Sequence, residues 1–252
     1  MGEPDIRIEA RPSAQEVSAR EQMQRLFIDC PIPLGELMSN LGLFIRRQDL
    51  SRLLFISDLY RRIVDVHGSI LEFGVRWGQN LALFTSLRGI FEPFNHNRKI
   101  VGFDTWEGFP SVHAKDGHAD VVSVGAYATT AGYENYLEQL LACHEQESPI
   151  AHIRKFELVK GDATVEVDRY LERNPETIVA LAFFDLDLYE PTRKCLEAIR
   201  DRLTRGSVVA FDQVNVHAFP GETLALKEVF GLDRYRLYRS PYSNAACYLV
   251  VE

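Results

Sequence analysis

Cysteine is scarce in this chain. The four that occur, Cys30, Cys143, Cys195 and Cys247, lie far apart with no C-x-x-C pair among them. That spacing suggests neither a disulfide framework nor a zinc site, and fits thiols in a reducing cytoplasm, where the protein is expected to reside. Excess positive charge is missing too: 28 Lys and Arg stand against 36 Asp and Glu, a formal net charge of -8. A basic footprint for nucleic acid is therefore absent, and docking on an anionic membrane is disfavoured. A phosphorylated small substrate needs only a local basic patch. No stretch approaches the ~18 apolar residues that span a bilayer. The polar start, MGEPDIRIEARPSAQE, lacks the apolar core of a signal peptide. Repeats and low-complexity segments are also wanting. What is there is ordinary globular composition, 46% hydrophobic and 25% charged over 252 residues, enough for one large domain with its own core.

The first dozen residues read as a loose arm. Ser13 and Glu16 then have the spacing of a capping box, predicting a helix to about residue 28, where Pro31 and Pro33 intervene. A second helix is predicted over 34–46. A third covers about 49–66, with Leu50, Leu53, Leu54 and Ile63 among its apolar positions. From there β-type runs alternate with helical ones. The strands are SILEF (69–73), KIVGFD (99–104), FELVK (156–160), IVALAFF (178–184) and SVVAFD (207–212). Helices are predicted at about 79–90, 163–173 and 190–203, and the alternation implies parallel βαβ units. Residues 105–155 exceed a normal connection and hold a helix near 132–146; insertions of that size usually carry function. A short helix follows Pro220-Gly221. YRLYRS (235–240) and ACYLVVE (246–252), flanking PYSNA, read as a terminal hairpin. The expectation is an α/β fold, with a helical arm over 1–66 and one globular unit over 67–252.

Chemistry gathers where the strands end. LEFGVRWGQN places Glu72, Gly74 and Gly78 at a strand-to-helix turn. Glycine there permits positive φ and close ligand approach, and helix N–H groups point into the turn. The spacing is not G-x-G-x-x-G, so the dinucleotide fingerprint is not met. Asp104 ends the second strand, where nucleotide folds hold a ribose diol; alone it could cap a helix, but with the glycine turn it favours an adenosine-containing ligand at the carboxyl edge of the sheet. FFDLDLYEPT ends an apolar run in Asp185 and Asp187, one residue apart. Carboxylates at the edge of a core need a partner. They could cap the helix at 190–203, pair with Arg193 or Arg200, or serve a ligand.

LEFGVRWGQN, GFDTWEGFP, LVKGDA, FFDLDLYEPT, SVVAFD and PGETLALKEVFG occur in this order. Together they resemble the macrocin O-methyltransferase type of class I S-adenosylmethionine-dependent methyltransferases, which methylate sugar hydroxyls in natural-product pathways. The resemblance covers roughly residues 69–252 and implies a Rossmann-like, seven-stranded sheet in the order 3-2-1-4-5-7-6, preceded by a helical lid. It implies that Glu72, Gly74 and Gly78 line the methionine end of S-adenosylmethionine, that Asp104 and Thr105 lie at the ribose, and that Asp162 sits by the adenine. It also implies that Asp185 and Asp212 hold a divalent cation beside the cofactor and that Asp187 is the general base. An oxygen-only donor set fits magnesium or calcium. The family usually has two consecutive aspartates after the fifth strand; here Gln213 follows Asp212. A neutral carbonyl predicts weaker metal binding, or a shifted ligand such as His217.

An alcohol is a poor nucleophile near neutral pH. A cation that favours the alkoxide and a carboxylate that takes the proton answer that need. Tyr189, Trp106 and His217 are candidate acceptor contacts. Trp77, Tyr127, Tyr133 and Tyr136 could also face a substrate, and His113 and His118 lie in the polar insertion. The expected acceptor is a deoxysugar, nucleotide-activated or already attached to a natural product, and the expected assembly is a homo-oligomer. Two other readings compete. Asp185-x-Asp187 could be the D-x-D of a metal-dependent glycosyltransferase, or the fold could bind cofactor without turnover.

Overall fold

The helix predicted after Ser13 forms over Ala14–Ile28 (α1) in the computed structural model, which describes residues 13–117 and 122–252. The Ser13 hydroxyl accepts from the Glu16 N–H at 3.2 Å, and Glu16 accepts from the Ser13 N–H at 2.8 Å. The capping box is thus complete. The helix predicted over 34–46 is divided into α2 (Leu34–Ser39) and a 3-10 turn over Leu41–Phe44. Asn40 divides them: its side-chain amide donates to the Glu36 carbonyl at 2.7 Å, competing with the helical ladder. These elements belong to the first of two compact units, Met1–Leu50; the second is Ser51–Glu252. Leu26, Ile28, Leu34, Met38 and Leu43 of the first unit are all more than half exposed. The predicted arm over 1–12 lies outside the described residues.

α3 (Arg47–Arg62) crosses the boundary between the units after Leu50 and, in the second, buries Phe55, Ile56, Leu59 and Tyr60, the spacing of one helical face. Leu54, predicted on that face, is exposed, and the helix stops four residues before the predicted end. There follow β1 (Ser69–Phe73), α4 (Gln79–Phe91), β2 (Ile100–Asp104), α5 (Tyr133–Gln146), β3 (Phe156–Lys160), α6 (Ala163–Arg173), β4 (Val179–Phe184), α7 (Tyr189–Ile199), β5 (Leu203–Phe211), α8 (Gly221–Val229), β6 (Tyr238–Arg239) and β7 (Cys247–Val250). The sheet runs β3-β2-β1-β4-β5-β7-β6, as the resemblance implies. Its first five strands are parallel, and β7 is antiparallel to both neighbours. This is the Rossmann-like class I methyltransferase fold. β1 and β4 are buried at every position, the signature of central parallel strands covered on both faces. β6 has only two residues, a short edge of the kind that resists pairing with other chains.

One register feature positions everything above the sheet. Phe103, Phe73, Phe184 and Phe211 are paired across β2, β1, β4 and β5. Their rings stack at 4.9, 4.8 and 5.3 Å between neighbours. The residues that follow them are Asp104, Gly74, Asp185 and Asp212. Backbone bonds hold that next level: Gly74 N–H to Phe103 O at 3.0 Å, Asp185 N–H to Phe73 O at 2.8 Å and Asp212 N–H to Phe184 O at 2.9 Å. An aromatic row therefore forms a floor, and three acids and a glycine stand on it in one line.

Candidate active site

A cavity of about 280 Å³ opens at this carboxyl edge. Ligands of open α/β sheets bind in such a crevice. Gly74, Asp104, Thr105, Asp162, Asp185, Asp187, Asp212 and Gln213 all line it. At Gly74, with φ 88°, a Cβ would fall 2.0 Å from the Asp185 carbonyl oxygen, so only glycine lets β1 turn here. Gly78 also has positive φ, but its missing Cβ makes room for the Leu137 side chain of α5. It serves helix packing rather than the cavity wall.

Asp104 binds backbone: its Oδ2 accepts from Val75 N–H and Arg76 N–H, both at 2.7 Å, and its Oδ1 from Trp106 N–H at 2.6 Å. Three of roughly four acceptor positions are used, so it ties the β1 and β2 loops and keeps little capacity for a ligand. The Thr105 hydroxyl donates to Gly108 O at 2.7 Å and shapes the same turn. Asp162 caps α6, accepting from Thr164 N–H at 2.9 Å. Glu72 lies 1% exposed in β1. Its Oε1 accepts from Asn80 at 2.8 Å, while its Oε2 has no protein partner. Burial pushes its pKa up to about 8.

The cation between the carboxylates is one that no motif announced. Arg52 of α3 donates to Asp185 Oδ2 at 2.5 Å, to Asp212 Oδ1 at 3.0 Å and to Asn80 Oδ1 at 3.1 Å. Burial works against its charge, but the two acids outweigh burial and hold the guanidinium firmly protonated. Burial, then Asp185, raises the Asp212 pKa, and Arg52 opposes that rise. The expected metal set is thus arranged otherwise. Asp185 and Asp212 are bridged by Arg52; Gln213 lines the cavity, and its backbone N–H donates to Glu222 at 3.3 Å. No group of three or more His, Cys, Asp or Glu among the described residues is placed to hold a metal. The donor set in this arrangement does not fit a divalent cation.

Asp187 is different from its neighbour. It is 7% exposed, and its Oδ1 is buried with no hydrogen-bond partner. Burial, then Asp185 and Asp212, push its pKa up to about 7. Its backbone is left-handed, with φ 60°, a conformation that costs a non-glycine residue about 1 kcal/mol. Arg76 and Tyr127, also at positive φ, line the same cavity, and the Arg76 guanidinium lies 4.9 Å from the Tyr127 ring centre. Strained backbone clusters at functional sites.

The three predicted acceptor contacts lie elsewhere. Trp106 is 4% exposed, packed in the core, and donates its indole N–H to Arg76 O at 3.0 Å. Tyr189 is equally buried and gives its hydroxyl to Glu228 at 2.6 Å. His217 is exposed, on the loop after β5, and outside the cavity lining. Trp77 packs edge-on against Tyr133 at 4.7 Å, and Tyr136 is exposed. His113 accepts from the Lys115 N–H at 3.0 Å, and His118 lies outside the described residues. Arg193 does pair with acids, but with Glu190 and Glu197 rather than Asp185 or Asp187. No helix among the described residues is long and apolar enough to cross a membrane.

The chain is similar over nearly its whole length to two solved structures. One, described as CalS11, a calicheamicin methyltransferase, is 44% identical, with a TM-score of 0.95, covering 99% of this chain and 98% of that one. The other is an apo structure described as CalS11, TDP-rhamnose 3'-O-methyltransferase, an enzyme in calicheamicin biosynthesis. It is 42% identical, with a TM-score of 0.84, covering 95% of this chain and 96% of that one. The O-methyltransferase NovP shares the fold at 17% identity and a TM-score of 0.61, over 80% of this chain and 79% of that one. No family model and no curated protein sequence matches.

Proposed function

The chain belongs to the sugar O-methyltransferases of natural-product biosynthesis, and from that premise we propose that it methylates a deoxysugar hydroxyl with Asp187 as general base. One observation carries the assignment of the base. Asp187 Oδ1 is buried, unpartnered and at the cavity, on a carboxyl whose pKa lies near 7. A base poised near the working pH is the effective one. Asp185 sits two residues away but is neutralised by Arg52, so it is held where Asp187 is left open.

S-adenosylmethionine supplies an electrophilic methyl group when bound. The backbone at Gly74, together with Thr105 and Asp162, would hold it, while Glu72 lies buried outside the cavity lining with its Oε2 unpartnered. Asp104 would act there mainly by fixing the two loops it already ties. Asp187 removes the hydroxyl proton as the oxygen attacks. Arg52 keeps Asp185 and Asp212 from adding two uncompensated negative charges beside that developing alkoxide. A divalent cation would reach Asp185 and Asp212 only once Arg52 left them.

The acceptor we place first is a nucleoside-diphosphate deoxysugar. The support is the 42% identical relative described as a TDP-rhamnose 3'-O-methyltransferase. Family membership leaves the glycosyltransferase reading without support. The exposed apolar residues of α1 and α2 support a homo-oligomer, which sedimentation velocity checks. The function is tested by titrating S-adenosylhomocysteine calorimetrically and then supplying nucleoside-diphosphate deoxysugars with labelled S-adenosylmethionine. Binding without transfer to any sugar would leave the inactive-fold reading; no binding at millimolar ligand would sink both.

A further inference from the structure

We propose that Glu222 is a positioning residue: it holds the Asp187 backbone in its left-handed turn and ties that turn to the strand end bearing Asp212. The proposal deepens the reading above and rests on Asp187 being the base.

Glu222 is the second residue of α8 and is 1% exposed. Its Oε1 accepts from Leu186 N–H at 3.0 Å and Asp187 N–H at 3.2 Å. Its Oε2 accepts from Gln213 N–H at 3.3 Å. One carboxyl therefore gathers N–H groups from the loops after β4 and β5. Consecutive N–H groups converging on one acceptor oxygen form a nest, a conformation in which a left-handed residue is at home; burial and the acids around it push the Glu222 pKa up, so the carboxyl works here as a hydrogen-bond acceptor rather than as a charge. Asp187 is that residue, at φ 60°. A residue in a sparsely populated region stays there only when its surroundings over-determine it. Without Glu222 the N–H groups of Leu186, Asp187 and Gln213 all lose this acceptor, and the turn can relax. Its side chain then leaves the cavity.

The preceding residue makes this reach possible. A Cβ at Gly221 would lie 2.5 Å from Tyr189 N and 2.7 Å from the Asp187 carbonyl oxygen. Glycine lets the start of α8 press against the backbone of 187–189, which brings the next side chain under the turn. The far end of that turn has its own anchor, since Asp116 Oδ1 accepts from Tyr189 N–H at 2.6 Å. The PGET of PGETLALKEVFG thus acquires a physical meaning: glycine for approach, glutamate for the tether.

The experiment compares Glu222→Ala, Glu222→Gln and, as a control on the exposed side of α8, Lys227→Ala. Amide hydrogen exchange is read at Leu186, Asp187 and Gln213, alongside S-adenosylhomocysteine binding and acceptor kinetics. Glu222→Ala is expected to lose protection at those three amides and to lower kcat by about 10²-fold, as a misplaced reacting group does. Cofactor affinity and acceptor KM should stay within about threefold. Glu222→Gln, which keeps one acceptor oxygen, should recover part of both the protection and the kcat, and Lys227→Ala should change neither. If Glu222→Ala does not fold, the glutamine variant carries the test. Unchanged exchange and a kcat within about twofold of wild type in a folded variant would overturn the proposal. Failure of the underlying methyltransferase reading would look different: the unmodified protein would bind no S-adenosylhomocysteine, and the exchange pattern alone would then judge the tether.

Discussion

Arg52 Nη1 stands 3.0 Å from Asp212 Oδ1, although 160 residues separate the two in sequence. The other terminal nitrogen of the same guanidinium reaches Asp185 at 2.5 Å. One guanidinium thereby bridges two strand-end acids from within the chain and compensates one of their two charges.

Removing that cation has two expected consequences. Arg52→Gln leaves two partly buried carboxylates uncompensated, so apo stability should fall by about 2–4 kcal/mol. Binding of Mn2+ or Mg2+ should tighten by roughly tenfold or more, because the carboxylate pair is released to it. Calorimetric metal titration of both proteins checks this; equal affinity would show that Arg52 and a metal do not compete.

Asp187→Asn keeps the shape of the side chain but cannot accept a proton. Turnover should fall by about 10²–10⁴-fold, with S-adenosylhomocysteine affinity retained. A fully active asparagine variant would remove the base from the account.

The pH dependence of kcat follows from the raised Asp187 pKa. The carboxyl must be ionised to act, so kcat should rise with pH up to about 7 and level above it. A profile that is flat between pH 5 and 8 would contradict the assignment.

Glu72 predicts a stability effect of definite sign. Its folded pKa, about 8, lies above its ordinary 4.5, so folding favours the protonated acid. The apo protein therefore holds this group's contribution below about pH 4.5 and loses it as pH rises to 8, at about 1.4 kcal/mol per unit. Glu72→Gln should raise the apo melting temperature at pH 8.5 and change it much less at pH 5. Equal melting curves at both pH values would show that the group ionises without penalty.

The sheet was legible because each central strand announces its own end. EFG, GFD, FFD and AFD put a phenylalanine before Gly74, Asp104, Asp185 and Asp212, and the pairing register lines all four up. Pattern and strand order together therefore located the acids of the cavity. Arg52 was invisible for the opposite reason. It sits mid-helix, 133 residues from Asp185, in no motif, and nothing local marks which helical arginine turns inward. Burial of Tyr189 and Trp106 was not legible, because residue type near a strand end says nothing of burial; both spend their polar atoms on the protein. Gly78 looked like a ligand glycine, yet it answers to Leu137, nearly sixty residues on in the insertion. Glu222 lay in plain view within PGET, but its three N–H donors come from two other loops.

The central claim is methyl transfer to a sugar hydroxyl driven by Asp187. Its most direct test is a labelled-methyl assay with nucleoside-diphosphate deoxysugars, run with the unmodified protein and with Asp187→Asn at equal S-adenosylmethionine saturation. The account predicts label on the sugar oxygen with the first protein and at least about a hundredfold slower transfer with the second. Transfer at the same rate by both, or label on no sugar despite bound cofactor, would contradict it.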